Sequence, residues 1–166
     1  MAKVIAWTVI FGFAAAVLQS TLFVRIAPYG AVPDIALGIV VYSAYINGVM
    51  IGQISGFLSG ITIDLLSAAP LGLNALVRTL TGTLAGLMNG KFFLDSILIP
   101  MLLCAAATLF KALLLSLLSL LFLGAVPSYT FAAPTLWAEI AMNAFSAPFL
   151  FALLKRFGSL LTEKRP

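Results

Sequence analysis

The sequence has very few charged residues. Only 8% of its 166 residues are Asp, Glu, Lys or Arg, whereas soluble domains are about 25% charged. Hydrophobic residues make up 63% of the chain, and the mean hydropathy is +1.17. This composition predicts an integral membrane protein. Because no polar segment is long enough to fold alone, we predict a single transmembrane domain over residues 1–166, without a soluble catalytic or nucleic-acid-binding module.

The sequence also lacks the motifs of common catalytic and metal sites. It contains no His, no CxxC pair, no Walker-type phosphate loop and no GxSxG turn. The single cysteine, Cys104, lies in an apolar run and cannot form an intramolecular disulfide. Asp64 and Glu139 would be the candidate acid pair of an enzyme, but nothing in the sequence places them together. We therefore predict no enzyme activity, no cofactor and no metal site.

Six apolar segments predict an all-α fold with six transmembrane helices. They cover about residues 4–24, 34–46, 49–66, 73–89, 97–123 and 134–157. At about 1.5 Å per residue, about 20 residues are needed to cross a hydrocarbon core of about 30 Å. The second and third helices are short by this measure, with Asn47-Gly48 as the turn between them. The first segment could instead be a cleaved signal peptide, but its apolar run continues past the small residues 14–16, which favours a membrane helix.

Glycines recur at four-residue spacing on both sides of a turn at residues 67–72. The set consists of Gly48, Gly52, Gly56, Gly60, Gly82, Gly86 and Gly90. Residues at i and i+4 lie on one helix face, and small residues there let membrane helices approach closely. We therefore predict that the third and fourth helices pack tightly through these glycines. A homodimer interface is the alternative use of such rows.

Basic residues are concentrated on one side of the six predicted helices. That side holds Lys3, Lys91, Lys155, Arg156, Lys164 and Arg165, whereas the opposite loops hold only Arg25. Since basic loops stay in the cytoplasm, we predict that both termini are cytoplasmic. Four aromatic residues are predicted to anchor the protein at the membrane interface: Trp7, Trp137, Tyr42 and Tyr45.

Five charged residues fall inside the predicted helices or at their ends: Asp34, Asp64, Arg78, Lys111 and Glu139. Counting the helical rise from the predicted helix ends puts all of them in the outer half of the membrane. A charge at a helix centre costs about 2.5–3.5 kcal/mol on the insertion scale, so such residues usually face the bundle interior and find partners. We predict ion pairs that fix the helix order, for instance Arg78 with Asp64 or Lys111 with Glu139. The alternative is a polar cavity, open to the outside, that holds a ligand.

Three segments resemble the MreD family of bacterial rod shape-determining membrane proteins: Pro33-Asp34, residues 56–67 and residues 70–76. Residues 18–22 fit this family too, whereas the uncharged turn at residues 45–48 departs from its often basic turn. The resemblance implies a non-enzymatic protein of the bacterial inner membrane that works in cell elongation. The implied partners are MreC and, through the complex, the MreB filament, the RodA glycosyltransferase and a class B transpeptidase.

A second class of protein has a similar size and helix count. The MreD family is similar in fold to the S components of energy-coupling-factor transporters, which capture vitamins in outward-facing pockets. The predicted outer-leaflet charges would suit such a pocket. The sequence motifs nevertheless match MreD, and substrate capture is the alternative function.

Overall fold

A computed structural model describes residues 1–21, 30–67, 70–91, 97–122 and 131–163. Over these ranges the regular structure is helical and no strand is present. The helices are α1 (Ala2–Thr21), α2 (Ile35–Asn47), α3 (Val49–Leu66), α4 (Leu73–Leu87), α5 (Leu98–Leu121), α6 (Pro134–Arg156) and the short α7 (Gly158–Leu161). Helices α1, α3, α5 and α6 are long and apolar enough to cross a membrane. The others are shorter, with 13 residues in α2 and 15 in α4.

Helix α2 forms the centre of the bundle and packs against α1, α3, α4, α5 and α6. Its residues from Ala36 to Tyr45 are all buried, because it is apolar on every face. Tyr42 and Tyr45, predicted as interface anchors, are only 2% and 3% exposed. The Tyr42 ring stands edge-on to that of Phe151, with centroids 5.1 Å apart. The prediction for these two tyrosines is therefore wrong, since a helix enclosed on all sides has no residues at an interface.

Glycines allow α3 and α4 to pack at backbone contact. A Cβ atom added at Gly52 would lie 2.5 Å from the carbonyl oxygen of Gly82, and one at Gly86 would lie 2.6 Å from the Cα atom of Val49. Gly56 and Gly60 face the backbone of α4 in the same way. These contacts lie within one chain, and any larger side chain would have to push the helices apart.

Two of the predicted packing glycines have another role. Gly48 and Gly90 have φ angles of +94° and +73°, and a Cβ atom added at either would meet nothing within 4 Å. Gly48 lies between α2 and α3, and Gly90 follows the end of α4. Each is a turn residue in a conformation that glycine adopts without steric cost. The Gly48 backbone nevertheless contacts α4, because a Cβ atom added at Gly86 would lie 2.8 Å from the Gly48 carbonyl carbon. Gly90 lies beyond the end of α4, where the chain has left the helical conformation.

Residues 1–3 and 155–163 meet at one end of the bundle, together with residues 47–48 and 89–91, and we call these residues the tail end. The Asn47 side chain donates to the carbonyl oxygen of Leu161 and accepts from the amide of Glu163. The N-terminal amine lies 2.8 Å from the Glu163 carboxylate, and the Lys3 amine donates to the carbonyl oxygen of Ser159. The predicted basic residues Lys164 and Arg165, like Arg25, lie outside the described residues.

Candidate functional site

Charged side chains gather at the opposite end of the bundle, around Asp34. This residue caps α2, and its Oδ1 accepts from the amide of Leu37 at 2.9 Å. The first amides of a helix lack intrahelical partners and carry partial positive charge, which favours a carboxylate at this position. Asp34 also binds two cations: Arg78 Nη2 donates to Oδ1 at 2.8 Å, and Lys111 Nζ donates to Oδ2 at 2.9 Å.

The chain of ion pairs continues from Lys111 to α6. Lys111 Nζ lies 2.7 Å from Glu139 Oε1, so Arg78, Asp34, Lys111 and Glu139 alternate in charge and join α4, α2, α5 and α6. We call these four residues the charge cluster. Their side chains are between 5% and 15% exposed. Alternation of charge lowers the cost of burial, because each charge faces a partner of opposite sign.

Asp64 does not take part in the charge cluster, although the sequence suggested it as a partner of Arg78. Its carboxylate accepts from the amides of Gly72, Asn74 and Ala75, and from the Asn74 side chain. Helix α4 begins after Gly72, which has no side chain to cap it, and Asp64 of α3 supplies the missing acceptor. Arg78 pairs with Asp34 instead, because Asp64 is already occupied by the start of α4.

Two uncharged residues of the site were missed by the sequence analysis. Asn143 Oδ1 accepts from the Asp34 amide at 2.7 Å, and its Nδ2 donates to Thr108 at 2.8 Å. Gln19 Nε2 donates to the carbonyl oxygen of Pro33, and its Oε1 accepts from the amide of Ala36. Asn143 follows Glu139 by four residues and therefore shares its helix face, a spacing that could have identified it.

A cavity of about 460 Å³ opens beside the charge cluster, and all four of its residues line the wall. Other described wall residues are Gln19, Ser20 and Asn74. Arg78 is 4% exposed, and its Nη1 atom is buried without a hydrogen-bond partner in the described part of the chain. Ion pairs at these distances can hold the helices together, and the cavity provides room for a polar molecule next to them.

Comparison with known proteins identifies the family of the chain. The family model described as rod shape-determining protein MreD matches residues 1–157. No curated protein and no solved structure matches the chain.

Proposed function

The chain belongs to the MreD family of rod shape-determining membrane proteins, and from this premise we propose that it is a non-enzymatic member of the bacterial cell-elongation complex. In that role it binds MreC and supports peptidoglycan synthesis and cell-shape control. The observation that carries the proposal is the family match over residues 1–157. The paired charges and close glycine packing agree with a scaffold, since they hold helices in fixed positions.

The proposed topology has six membrane helices in the bacterial inner membrane, with both termini in the cytoplasm. Helices α2 and α4 are short, at about 20–23 Å by the helical rise. Helix α2 lies inside the domain formed by the other helices, whereas α4 exposes Leu76, Leu80 and Leu84 on one face. The contacts of Met1 and Lys3 with residues 159–163 at the tail end support an even number of crossings between α1 and α6. Lys3, Lys91 and Lys155 are basic residues of that end, which supports a cytoplasmic location.

Reporter fusions test this topology. Alkaline phosphatase is active only outside the cytoplasm, so a fusion after Ser67 should be active and a fusion after Asn89 should be inactive. A fluorescent protein that folds only in the cytoplasm should give the opposite pattern at the same two sites. Activity of the phosphatase at Asn89 would contradict the proposed orientation.

Association with MreC is proposed to occur through helix faces in the membrane. Large apolar side chains are exposed on α1, α3, α5 and α6, among them Ile10, Phe57, Leu113 and Phe149. In a bilayer these faces meet lipid or the helices of partners, and packing of such faces drives helix association. MreB, RodA and a class B transpeptidase are proposed as further partners through the assembled complex.

Purification from native membranes tests the partner proposal. The tagged protein, extracted in a mild detergent, should retain MreC in amounts comparable to its own, and cells depleted of the protein should lose their rod shape. An unrelated multi-pass protein with the same tag is the control. The scaffold proposal fails if no morphogenesis or peptidoglycan-synthesis protein is enriched over that control.

Substrate capture, as in an S component, is the second candidate function. The cavity beside the charge cluster is the observation that favours it. The same purification separates the two functions by the partners retained, because a capture protein works with a coupling protein and its ATPases. Enrichment of such ATPases without MreC would favour capture.

A further inference from the structure

The cavity at the charge cluster has the size of a binding site. Its volume of about 460 Å³ lies within the range of about 300–1,000 Å³ that is usual for small-molecule sites. Arg78 and Glu139, which line it, are only 4% and 5% exposed. We propose that this cavity binds a small polar molecule without net charge, held by an oxygen acceptor at Arg78. The inference does not depend on which partners the protein has.

The charges of the described wall residues balance, which favours a ligand without a net charge. Two cations, Arg78 and Lys111, face two anions, Asp34 and Glu139, and they are joined by ion pairs of 2.7–2.9 Å. An anion or cation in the cavity would leave one charge without an opposite partner in surroundings of low polarity, which is unfavourable. A neutral molecule, or a zwitterion whose charges cancel, leaves the pairs balanced.

Arg78 identifies the group that the ligand must carry. The guanidinium has five N–H donors and no acceptor, and its Nη1 atom has no partner among the described residues. Buried polar atoms in folded proteins nearly always have a hydrogen-bond partner. A carbonyl or hydroxyl oxygen in the cavity would supply one. Because Nη1 is covered by protein atoms, the guanidinium has to move slightly to meet it.

The rest of the wall fits a molecule that also has carbon surface. Ala16, Ala31 and Ile63 line the cavity beside the polar residues. The side-chain amides of Gln19 and Asn74 are already bonded to Pro33 and Asp64. Arg78, whose Nη1 has no partner within the described ranges, is the proposed polar anchor, and apolar contacts with the alanines and the isoleucine complete the site.

A matched pair of variants at the end of α1 tests the cavity. Ser20 and Thr21 are both exposed, and each side-chain hydroxyl donates to the carbonyl oxygen of Val17 at 2.9 Å. Only Ser20 lines the cavity. Ser20→Trp would fill part of it, whereas Thr21→Trp adds the same side chain outside. Arg78→Lys keeps the positive charge for Asp34 but removes Nη1.

The readout is native mass spectrometry of protein purified gently from its own membranes. We expect wild type and Thr21→Trp to retain a small molecule that Ser20→Trp loses, and Arg78→Lys to retain a smaller fraction of it. Thermal unfolding with each variant checks the fold. Absence of a retained small molecule in the wild type, or equal retention by the two tryptophan variants, would overturn the proposal.

Three probes of similar size test the chemical class. Acetamide is neutral and has a carbonyl oxygen, acetate is an anion, and ethylammonium is a cation. We expect acetamide to raise the unfolding temperature of the wild type more than the ions do, and Ser20→Trp to abolish this difference. A larger shift with acetate or ethylammonium would refute a neutral ligand. Efficient cross-linking of Ser20→Cys to another protein would instead make the cavity a protein contact, and would also overturn the proposal.

Discussion

Substitution of glycine by alanine should have opposite effects at two buried helix positions. A Cβ atom at Gly56 would lie 2.8 Å from the carbonyl carbon of Arg78, so that the backbone of α4 obstructs it. A Cβ atom at Gly12 of α1 would lie 3.7 Å from the Cβ atom of Ser59, an ordinary van der Waals contact. We therefore expect Gly56→Ala to destabilise the protein and Gly12→Ala to stabilise it.

The magnitudes follow from two opposing terms. Alanine is better than glycine inside a helix by about 1 kcal/mol, and this gain applies at both positions. At Gly56 the added methyl group also overpacks the helix contact, which costs about 1–3 kcal/mol, and the upper end applies because backbone cannot rotate away as a side chain can. The net effect should be a loss of about 2 kcal/mol at Gly56 and a gain of about 1 kcal/mol at Gly12.

Thermal unfolding of the purified protein in one detergent measures both effects. At about 2–4 °C per kcal/mol for a chain of this size, the unfolding temperature should fall by about 4–8 °C for Gly56→Ala and rise by about 2–4 °C for Gly12→Ala. The double variant should show the sum of the two shifts if the sites are independent. Shifts of the same sign and size would refute the conclusion that backbone contact between α3 and α4 requires glycine.

Substitutions at three further polar sites test the contacts of Asp34, Asp64 and Asn47. Asp34→Asn should lower the stability in detergent by about 3–5 kcal/mol, because two buried cations lose their shared anion, and Glu139→Gln should cost less, because Lys111 keeps Asp34. Asp64→Asn should cost about 1–2 kcal/mol and speed hydrogen exchange at the Asn74 and Ala75 amides, whose acceptor it weakens. Asn47→Ala should increase protease cleavage in residues 158–163, because it removes the bonds to Leu161 and Glu163; Asn89→Ala is the control, since Asn89 bonds to Tyr45 instead.

Each of these results has a clear contrary outcome. Equal losses for Asp34→Asn and Glu139→Gln would show that Asp34 is not the shared partner of the cations. Unchanged exchange at the start of α4 would remove Asp64 as its cap. Equal protease sensitivity of the Asn47 and Asn89 variants would show that Asn47 does not hold the end of the chain.

The family and the helical class could be predicted because they depend on local sequence. The resemblance carried by Pro33-Asp34, residues 56–67 and residues 70–76 is confirmed by the family match over residues 1–157. Apolar composition indicates helices in a membrane whatever their arrangement, since an isolated apolar segment can satisfy its backbone there only as a helix.

The predicted pair of Lys111 with Glu139 is present, whereas the partner of Arg78 could not be predicted in the same way. Asp34 and Asp64 lie at the same end of the bundle, so depth along the helices does not decide which of them binds Arg78. Which carboxylate binds Arg78 depends on the position of α2 between α4 and α5, and on the amides at the start of α4 that donate to Asp64. Both are properties of the packed bundle.

The four-residue spacing of the glycines likewise could not predict the role of every glycine. Four-residue spacing describes a face only while the chain remains helical. Gly48 and Gly90 fit the spacing, yet their positive φ angles place them in turns. The spacing alone contains no information about where a helix ends, so it could not show that the two outermost glycines are turn residues.

The enclosed position of α2 has a consequence for how the protein is made. Ribosomes synthesise this helix before α3, α4, α5 and α6, which provide much of its surroundings in the mature bundle. With 13 residues it is too short to cross a bilayer of about 30 Å in isolation. In the proposed six-helix topology, the growing chain therefore has to keep α2 beside the insertion machinery, or insert it together with α3 as a hairpin, until later helices arrive. Biogenesis of the bundle is expected to depend on the order of synthesis, and a circular permutant that begins at α2 would be the most difficult to insert.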